Sequence, residues 1–244
     1  MGLFSRLSYV SRVRRLKLFY EVTRPSEQMR ILDVGGEVNP DASRGLQLVD
    51  SYPWKKNVSV INLSARHIEK IKETYPEVDA RVGDACVLPW PDGYFDVVYS
   101  NAVIEHVGDL NRQKKMAAEI MRVGKQWFVS TPNRWYPFEF HLRLPLVTWL
   151  PRHGYLWVGS FIRYSHVRKK YIVPAKRVTG IRLMTARKLK VCFPGSRIVK
   201  QRITFMAETL IAIGGPGVTS RQSHCCTTAF NPSSRDLADY QTPQ

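Results

Sequence analysis

Gly83 to Val107 reads GDACVLPWPDGYFDVVYSNAVIEHV, and its residue order decides the fold. A polar loop carries Asp84, Pro91-Asp92-Gly93 makes a turn, and Phe95 to Tyr99 is an apolar run of strand composition. The run ends in the polar pair Ser100-Asn101 and leads into a segment expected to be a helix carrying Glu105 and His106. One strand end and a neighbouring loop are thereby placed at a crevice. In open α/β sheets small molecules bind at the carboxyl ends of the strands.

The 244 residues suffice for one α/β domain with a large core, but not for two of ordinary size. Lys and Arg number 37 against 20 acids, so the net charge is +17 and an anionic partner or surface is implied. Cys86, Cys192, Cys225 and Cys226 form no metal spacing, which fits a reducing cytoplasm. Arg6, Arg12, Arg14 and Arg15 interrupt the apolar runs a secretion signal would need. Prolines and charges break Leu142 to Ile162, so no membrane span is expected there.

Outward from the central stretch, strands and helices alternate. Ile31-Leu32-Asp33-Val34 runs into Gly35-Gly36, where missing β-carbons let backbone approach a ligand and Asp33 offers a carboxylate. A second strand, Val58 to Leu63, brings Asn62 to its end, and a helix follows from Ala65 to Tyr75. A third strand near Ala80 to Val82 delivers Asp84, and a helix with Met116, Ile120 and Met121 leads to a fifth strand, Trp127 to Thr131. Thr185 to Val191 reads as the last helix, with closing strands at Arg197 to Gln201 and Phe205 to Ile213. This alternation predicts a mostly parallel sheet covered on both faces.

The order ILDVGG, INLS, GDA and LPWPDGYFDVVYSNAVIEHV resembles the class I S-adenosylmethionine-dependent methyltransferases of the type 11 group. That resemblance implies a Rossmann-like, doubly wound seven-stranded sheet, mostly parallel with an antiparallel last strand inserted beside the fifth. It also implies S-adenosylmethionine as cofactor. Asp33, Gly35 and Gly36 would line its methionine end, Asn62 its ribose, and Asp84 and Ala85 its adenine, with Ser100 and Asn101 closing the pocket below the sulfonium. Two positions depart from the family pattern: Glu37 stands where a second turn glycine is usual, and Asn62 where strand two usually carries an acid.

A sulfonium methyl is already a strong electrophile, so the protein has to align an acceptor and take its proton. His106 and His141 are the candidate bases, and Glu105 is expected to orient a neighbour. No metal is expected, because Ala102 replaces the first acid of the Glu-x-x-Glu-His set that some branches of the family use. The implied reaction is methyl transfer to an oxygen or nitrogen of a small-molecule, saccharide or lipid-linked acceptor. A noncatalytic protein of this fold binding anionic lipid or RNA is the alternative, and a nicotinamide reductase is disfavoured by the missing G-x-G-x-x-G.

Three flanking regions complete the organisation. Residues 1–24 form an amphipathic basic helix, with Leu7, Val10, Val13, Leu16 and Phe19 at steps of three and arginines on the other side. It either packs on the domain or lies on an anionic membrane. Within the expected domain, 25–213, residues 132–180 read as a substrate or lid insertion, with Asn133, Trp135 and Glu139 as candidate substrate contacts. From Phe140 to Ala207 there are 15 Lys and Arg and no Asp or Glu, interleaved with aromatics. That mixture favours an anionic membrane surface, peripheral on its inner side, or a lipid-linked acceptor; no RNA-binding motif is visible and nucleic acid is disfavoured. Residues 214–244 lose large apolar side chains and are expected to be disordered.

Overall fold

The structure, a computed structural model, describes residues 3–39, 47–139, 144–151, 153, 154, 157, 158, 163–165, 170–172 and 181–216. The expected disorder of the tail therefore falls, from 217 on, outside the described residues, as do 140–143, 152, 155, 156, 159–162, 166–169 and 173–180 of the basic insertion. Seven strands form one sheet: β1 Ile31–Val34, β2 Val58–Asn62, β3 Asp79–Val82, β4 Phe95–Asn101, β5 Gly124–Pro132, β6 Arg197–Arg202 and β7 Ala207–Gly214. Their order across the sheet is β6-β7-β5-β4-β1-β2-β3. β1 pairs in parallel with both β2 and β4, β4 pairs in parallel with β5, and β7 runs antiparallel between β5 and β6. The chain thus winds outward in both directions from β1, and the reversal between β1 and β4 opens a crevice at their carboxyl ends.

Period-two alternation sends neighbouring residues of each strand into two separate cores. Leu32, Val98, Val129 and Leu210 face one side. There they meet Met116 and Ile120 of α4 (Leu110–Val123) and Leu189 of α5 (Ala186–Cys192). Ile31, Val97, Tyr99, Phe128 and Ile211 face the other. That side is covered by α1 (Leu3–Thr23), the short α2 (Leu48–Ser51) and α3 (Ala65–Thr74). β1 is buried along its whole length, which is why it reads as apolar apart from Asp33.

Of the two readings of the first helix, packing on the domain is the one realised at its second half. Leu16 and Phe19 are buried, and the Phe19 ring meets Tyr99 and Phe128 edge-on at 5.2 and 5.6 Å between centroids. One expectation is corrected here. Arg15 does not stand on a solvated face; at 8% exposure it points inward, one turn from Ser11 and one turn from Phe19 on the same packed stripe. Phe19→Ala is expected to lower the unfolding free energy by about 3–5 kcal/mol. Urea denaturation checks it, and an unchanged midpoint would mean that α1 docks without supporting the core.

The helix expected to carry Glu105 and His106 is also corrected. Residues 102–107 form a turn, and α4 begins only at Leu110, where Asp109 accepts the Arg112 backbone N–H at 3.0 Å as the cap. Val103, Ile104 and Val107 have helical spacing, but Ala102 lies at φ +57° and Gly108 at φ +122°, conformations no helix contains. The buried Gln113 amide pins this turn, donating to the Ile104 carbonyl at 3.2 Å and to the Arg182 carbonyl at 3.0 Å.

Candidate active site

Gly35 follows β1 at φ +82°, donating its N–H to the Ile61 carbonyl at 2.7 Å. A β-carbon there would lie 2.3 Å from Val103, so the glycine lets the turn after β4 close over the turn after β1. At Gly36 a β-carbon would sit 2.7 Å from the Asp33 carboxylate, so the backbone beside that acid stays open. Asp33 itself is 3% exposed, and no donor among the described residues bonds to its carboxylate. Burial, then the nearby carboxylates of Glu37 and Asp50, push its pKa up to about 8.

At the end of β2 both ends of the Asn62 amide are engaged: it donates to the Gly36 carbonyl at 2.9 Å and accepts the Ser64 N–H at 2.9 Å. The carboxylate missing from this strand stands across the turn. Glu37 lies 3.6 Å from His67 and accepts from the Gln47 amide at 2.9 Å, and His67 is 3.5 Å from the Asn62 amide. The two departures noted in the sequence thus lie together, so the edge of the crevice retains an acid.

Asp84 occupies the neighbouring loop, one oxygen accepting the Cys86 N–H at 2.9 Å and the other paired with Arg112 at 2.7 Å. These two contacts, the Cys86 N–H first, hold its carboxyl below the usual range. Arg112 also donates to the Val107 carbonyl at 2.7 Å, so it ties this loop to the turn after β4. Ala85 packs partly buried against the core beside it.

The floor is a polar cluster between β4, β5 and α1. Ser100 is fully buried and donates to the Val34 carbonyl at 3.1 Å, joining β4 to β1. The Asn101 side-chain Oδ1 accepts from the Arg15 guanidinium and, at 2.8 Å, from Ser130. Arg15 donates further to Ser11 at 3.0 Å and to Thr209 at 3.3 Å, and Ser11 reaches the Glu208 carboxylate at 3.2 Å. Among the described residues the Arg15 Nε has no hydrogen-bond partner. Burial lowers the Arg15 pKa, opposed chiefly by Tyr99.

The candidate acceptor groups are less closely gathered. The Glu105 carboxylate has no solvent exposure and accepts from Thr131 at 2.9 Å, while the half-exposed His106 ring lies 4.0 Å from it. Asn133 donates to the Ala207 carbonyl at 2.9 Å and accepts the Trp135 N–H at 3.2 Å, which shapes the exit from β5. The Trp135 side chain is 54% exposed. His141 and the side chain of Glu139 lie outside the described residues. Sequence reading missed Arg15, Arg112 and the Glu37–His67 pair, because each works through contacts with segments far off in the chain. A signal for Arg15 existed in its i+4 spacing to Ser11 and Phe19.

The sheet order and the crevice at the β1–β4 reversal define a Rossmann-like methyltransferase fold. Two solved structures share it: an S-adenosylmethionine-dependent methyltransferase from Clostridium acetobutylicum (TM-score 0.53, 9% identity, 84% of this chain and 90% of that one) and a second from Methanosarcina mazei (0.52, 13%, 80% and 95%). The family described as "Methyltransferase domain", type 11, matches residues 42–127. A ubiquinone biosynthesis O-methyltransferase of Rhizobium etli is 31% identical over 136 residues, 53% of this chain and 52% of that protein. A probable S-adenosylmethionine-dependent methyltransferase of Mycolicibacterium smegmatis is 39% identical over 67 residues, 28% of this chain and 26% of that protein. Residues 42–127 of this chain are thus similar to the type 11 methyltransferase domain, and S-adenosylmethionine is the cofactor that the names of the two solved structures and of the Mycolicibacterium relative imply for those proteins. The chain spans about a quarter to a half of the length of the Mycolicibacterium and Rhizobium relatives.

The residues present fit that cofactor. A buried acid raised by burial, beside an open glycine backbone, is the chemical complement of the ammonium at the methionine end.

Proposed function

We propose that this protein transfers a methyl group from S-adenosylmethionine to an oxygen or nitrogen of a small-molecule, saccharide or lipid-linked acceptor. The observation that carries the proposal is the crevice at the carboxyl ends of β1, β2 and β4. There Asp33 and Asn62 lie near the carboxyl ends of their strands, and the Gly35-Gly36 backbone, Glu37 and Asp84 lie on the loops that follow. Asn62 is bonded to Gly36, and Asp84 is paired with Arg112. In this reading Asp33 holds the methionine ammonium, Asn62 and Glu37 the ribose, and Asp84 with Ala85 the adenine. Bound cofactor supplies the activated methyl. Asn101 forms the floor, and His106, oriented by the Glu105 carboxylate, takes the acceptor's proton. His141, Asn133, Trp135 and Glu139 are proposed to complete the acceptor side.

The names of the rhizobial relatives support an oxygen acceptor. The lack of acids across 140–207 supports an amphiphilic acceptor or a peripheral position on an anionic membrane from the cytoplasmic side. Among the described residues no helix is long and apolar enough to cross a membrane.

Isothermal titration tests the cofactor half: S-adenosylhomocysteine is expected to bind, and Asp84→Ala to weaken it at least about tenfold, the loss of one charge-assisted hydrogen bond. Unchanged affinity in the variant would remove Asp84 from the adenine site. No binding to the parent protein would remove the function. Labelled cofactor incubated with extract from cells lacking the protein then identifies the acceptor.

A further inference from the structure

A cavity of about 100 Å³ opens beside the exit from β5, walled by Arg134, Arg182, Lys188, Thr148 and Leu150. Three separate segments bring the cations together. The Arg134 N–H donates to the Met184 carbonyl at 2.9 Å, so the chain leaving β5 runs beside residues 181–184. The Arg182 N–H is held by the Glu105 carbonyl at 2.8 Å, and Lys188 sits in the first turn of α5, its N–H bonded to Thr185. Thr148 is fixed by donating to the Tyr136 carbonyl at 2.8 Å.

Three cations around one small space repel one another unless an anion sits between them. Among the described residues none of the three forms an ion pair. Asp109 feels Arg182 through space, but its carboxylate is committed to the cap of α4. Among the described residues the Arg134 guanidinium makes one hydrogen bond, to the Leu150 carbonyl at 3.4 Å, which leaves most of its donors unengaged there. Leu150 of the cavity wall is 37% exposed, and Trp135 and Trp149, next in the chain to Arg134 and Leu150, are 54 and 50% exposed, the Trp149 indole N–H donating to the Trp135 carbonyl at 3.0 Å.

We propose that this cavity binds the phosphate or diphosphate group of an amphiphile. Arg134, Arg182 and Lys188 engage the oxygens, and Trp135, Trp149 and Leu150 cover the apolar body beside them. Guanidinium groups bind phosphate oxygens in pairs of parallel hydrogen bonds, and indoles suit the boundary between a polar head and an apolar chain. A phospholipid headgroup and a lipid-linked phosphate share this chemistry. The proposal concerns binding alone and stands whether or not methyl transfer is found.

The test titrates the full chain with pyrophosphate at low salt, without cofactor, and sediments it with phosphatidylcholine vesicles with and without phosphatidic acid. Saturable pyrophosphate binding is expected. Combined Arg134→Gln, Arg182→Gln and Lys188→Gln should raise its Kd at least about tenfold. A charge-matched set outside the cavity, Lys114→Gln, Lys115→Gln and Arg187→Gln, should change it less than about threefold. Phosphatidic-acid-dependent sedimentation that pyrophosphate competes away identifies a membrane headgroup. Pyrophosphate binding without vesicle binding identifies a single phosphorylated molecule. Equal losses in the two sets, or no saturable binding, would overturn the proposal. If the first set unfolds, Lys188→Gln alone, at an exposed position, should still weaken binding about threefold; an unchanged Kd there overturns it as well.

Discussion

Asp33→Asn is expected to make the cofactor-free protein more stable than its parent, by a margin that grows from about pH 4 to pH 8, while abolishing cofactor binding. The buried carboxyl has its pKa pushed up to about 8. In an unfolded chain an aspartate titrates near ~3.9. Between these values the native state holds a proton that the unfolded state has lost, so stability falls as pH rises through the window and levels off above it. By linkage the effect is of order 3–5 kcal/mol at pH 8, and Asn, neutral throughout, escapes it. In the proposed role the methionine ammonium would favour the ionised carboxylate, so cofactor binding below pH 8 should release a proton. Titration calorimetry in buffers of different ionisation enthalpy measures that release, and Asp33→Asn should lose both the proton and the affinity. Parallel stability–pH curves for parent and variant would show that Asp33 is ionised in the free protein.

The second large effect is expected at Arg15. Removing one member of a buried charged network typically costs about 3–5 kcal/mol. Arg15→Ala should therefore lower the Tm by roughly 6–20 °C in a protein of this size. The guanidinium spans Asn101, Ser11 and Thr209, which lie on β4, α1 and β7. A lysine ammonium cannot match that planar fork, so Arg15→Lys should recover less than half of the loss. A double-mutant cycle with Asn101→Ala should show coupling of about 0.5–3 kcal/mol, as for residues in one hydrogen-bond network. Full stability in Arg15→Lys would reduce the network to a single ionic contact.

Much of the sheet could be read directly because its information is local. Ile31–Val34, Val58–Asn62 and Phe95–Asn101 are apolar runs bounded by glycine, proline or polar residues, and each became a strand within a residue or two of its expected limits. Burial on both faces demands such runs, so their meaning does not depend on distant partners. The insertion of β7 beside β5 followed from the family resemblance, and the register Leu210 to Thr131 bears it out. The turn at 102–107 was misread for an equally local reason: its apolar spacing suits a helix, and the left-handed conformation of Ala102 has no signature in composition.

The contacts of polar groups were less legible. Asp84, Asn62 and Asp33 were picked out by their places after strands, yet nothing in their neighbourhood announces Arg112, Glu37 or the unbonded state of the Asp33 carboxylate. A polar side chain's energy depends on what reaches it after burial, and those partners are separated by tens of residues.

The sequence by itself determined the order of strands and helices, the loops that carry the candidate site and the excess of positive charge after Phe140. Backbone propensity, apolar periodicity and net charge are properties of short stretches or of sums, so they survive without coordinates. Only the tertiary structure decided that Arg15 lies inside the fold, that Glu37 faces His67 beside Asn62, and that Arg134, Arg182 and Lys188 share one cavity. Each of these is an electrostatic fact, and Coulomb energy and desolvation depend on distance and burial, which the chain acquires only when it folds.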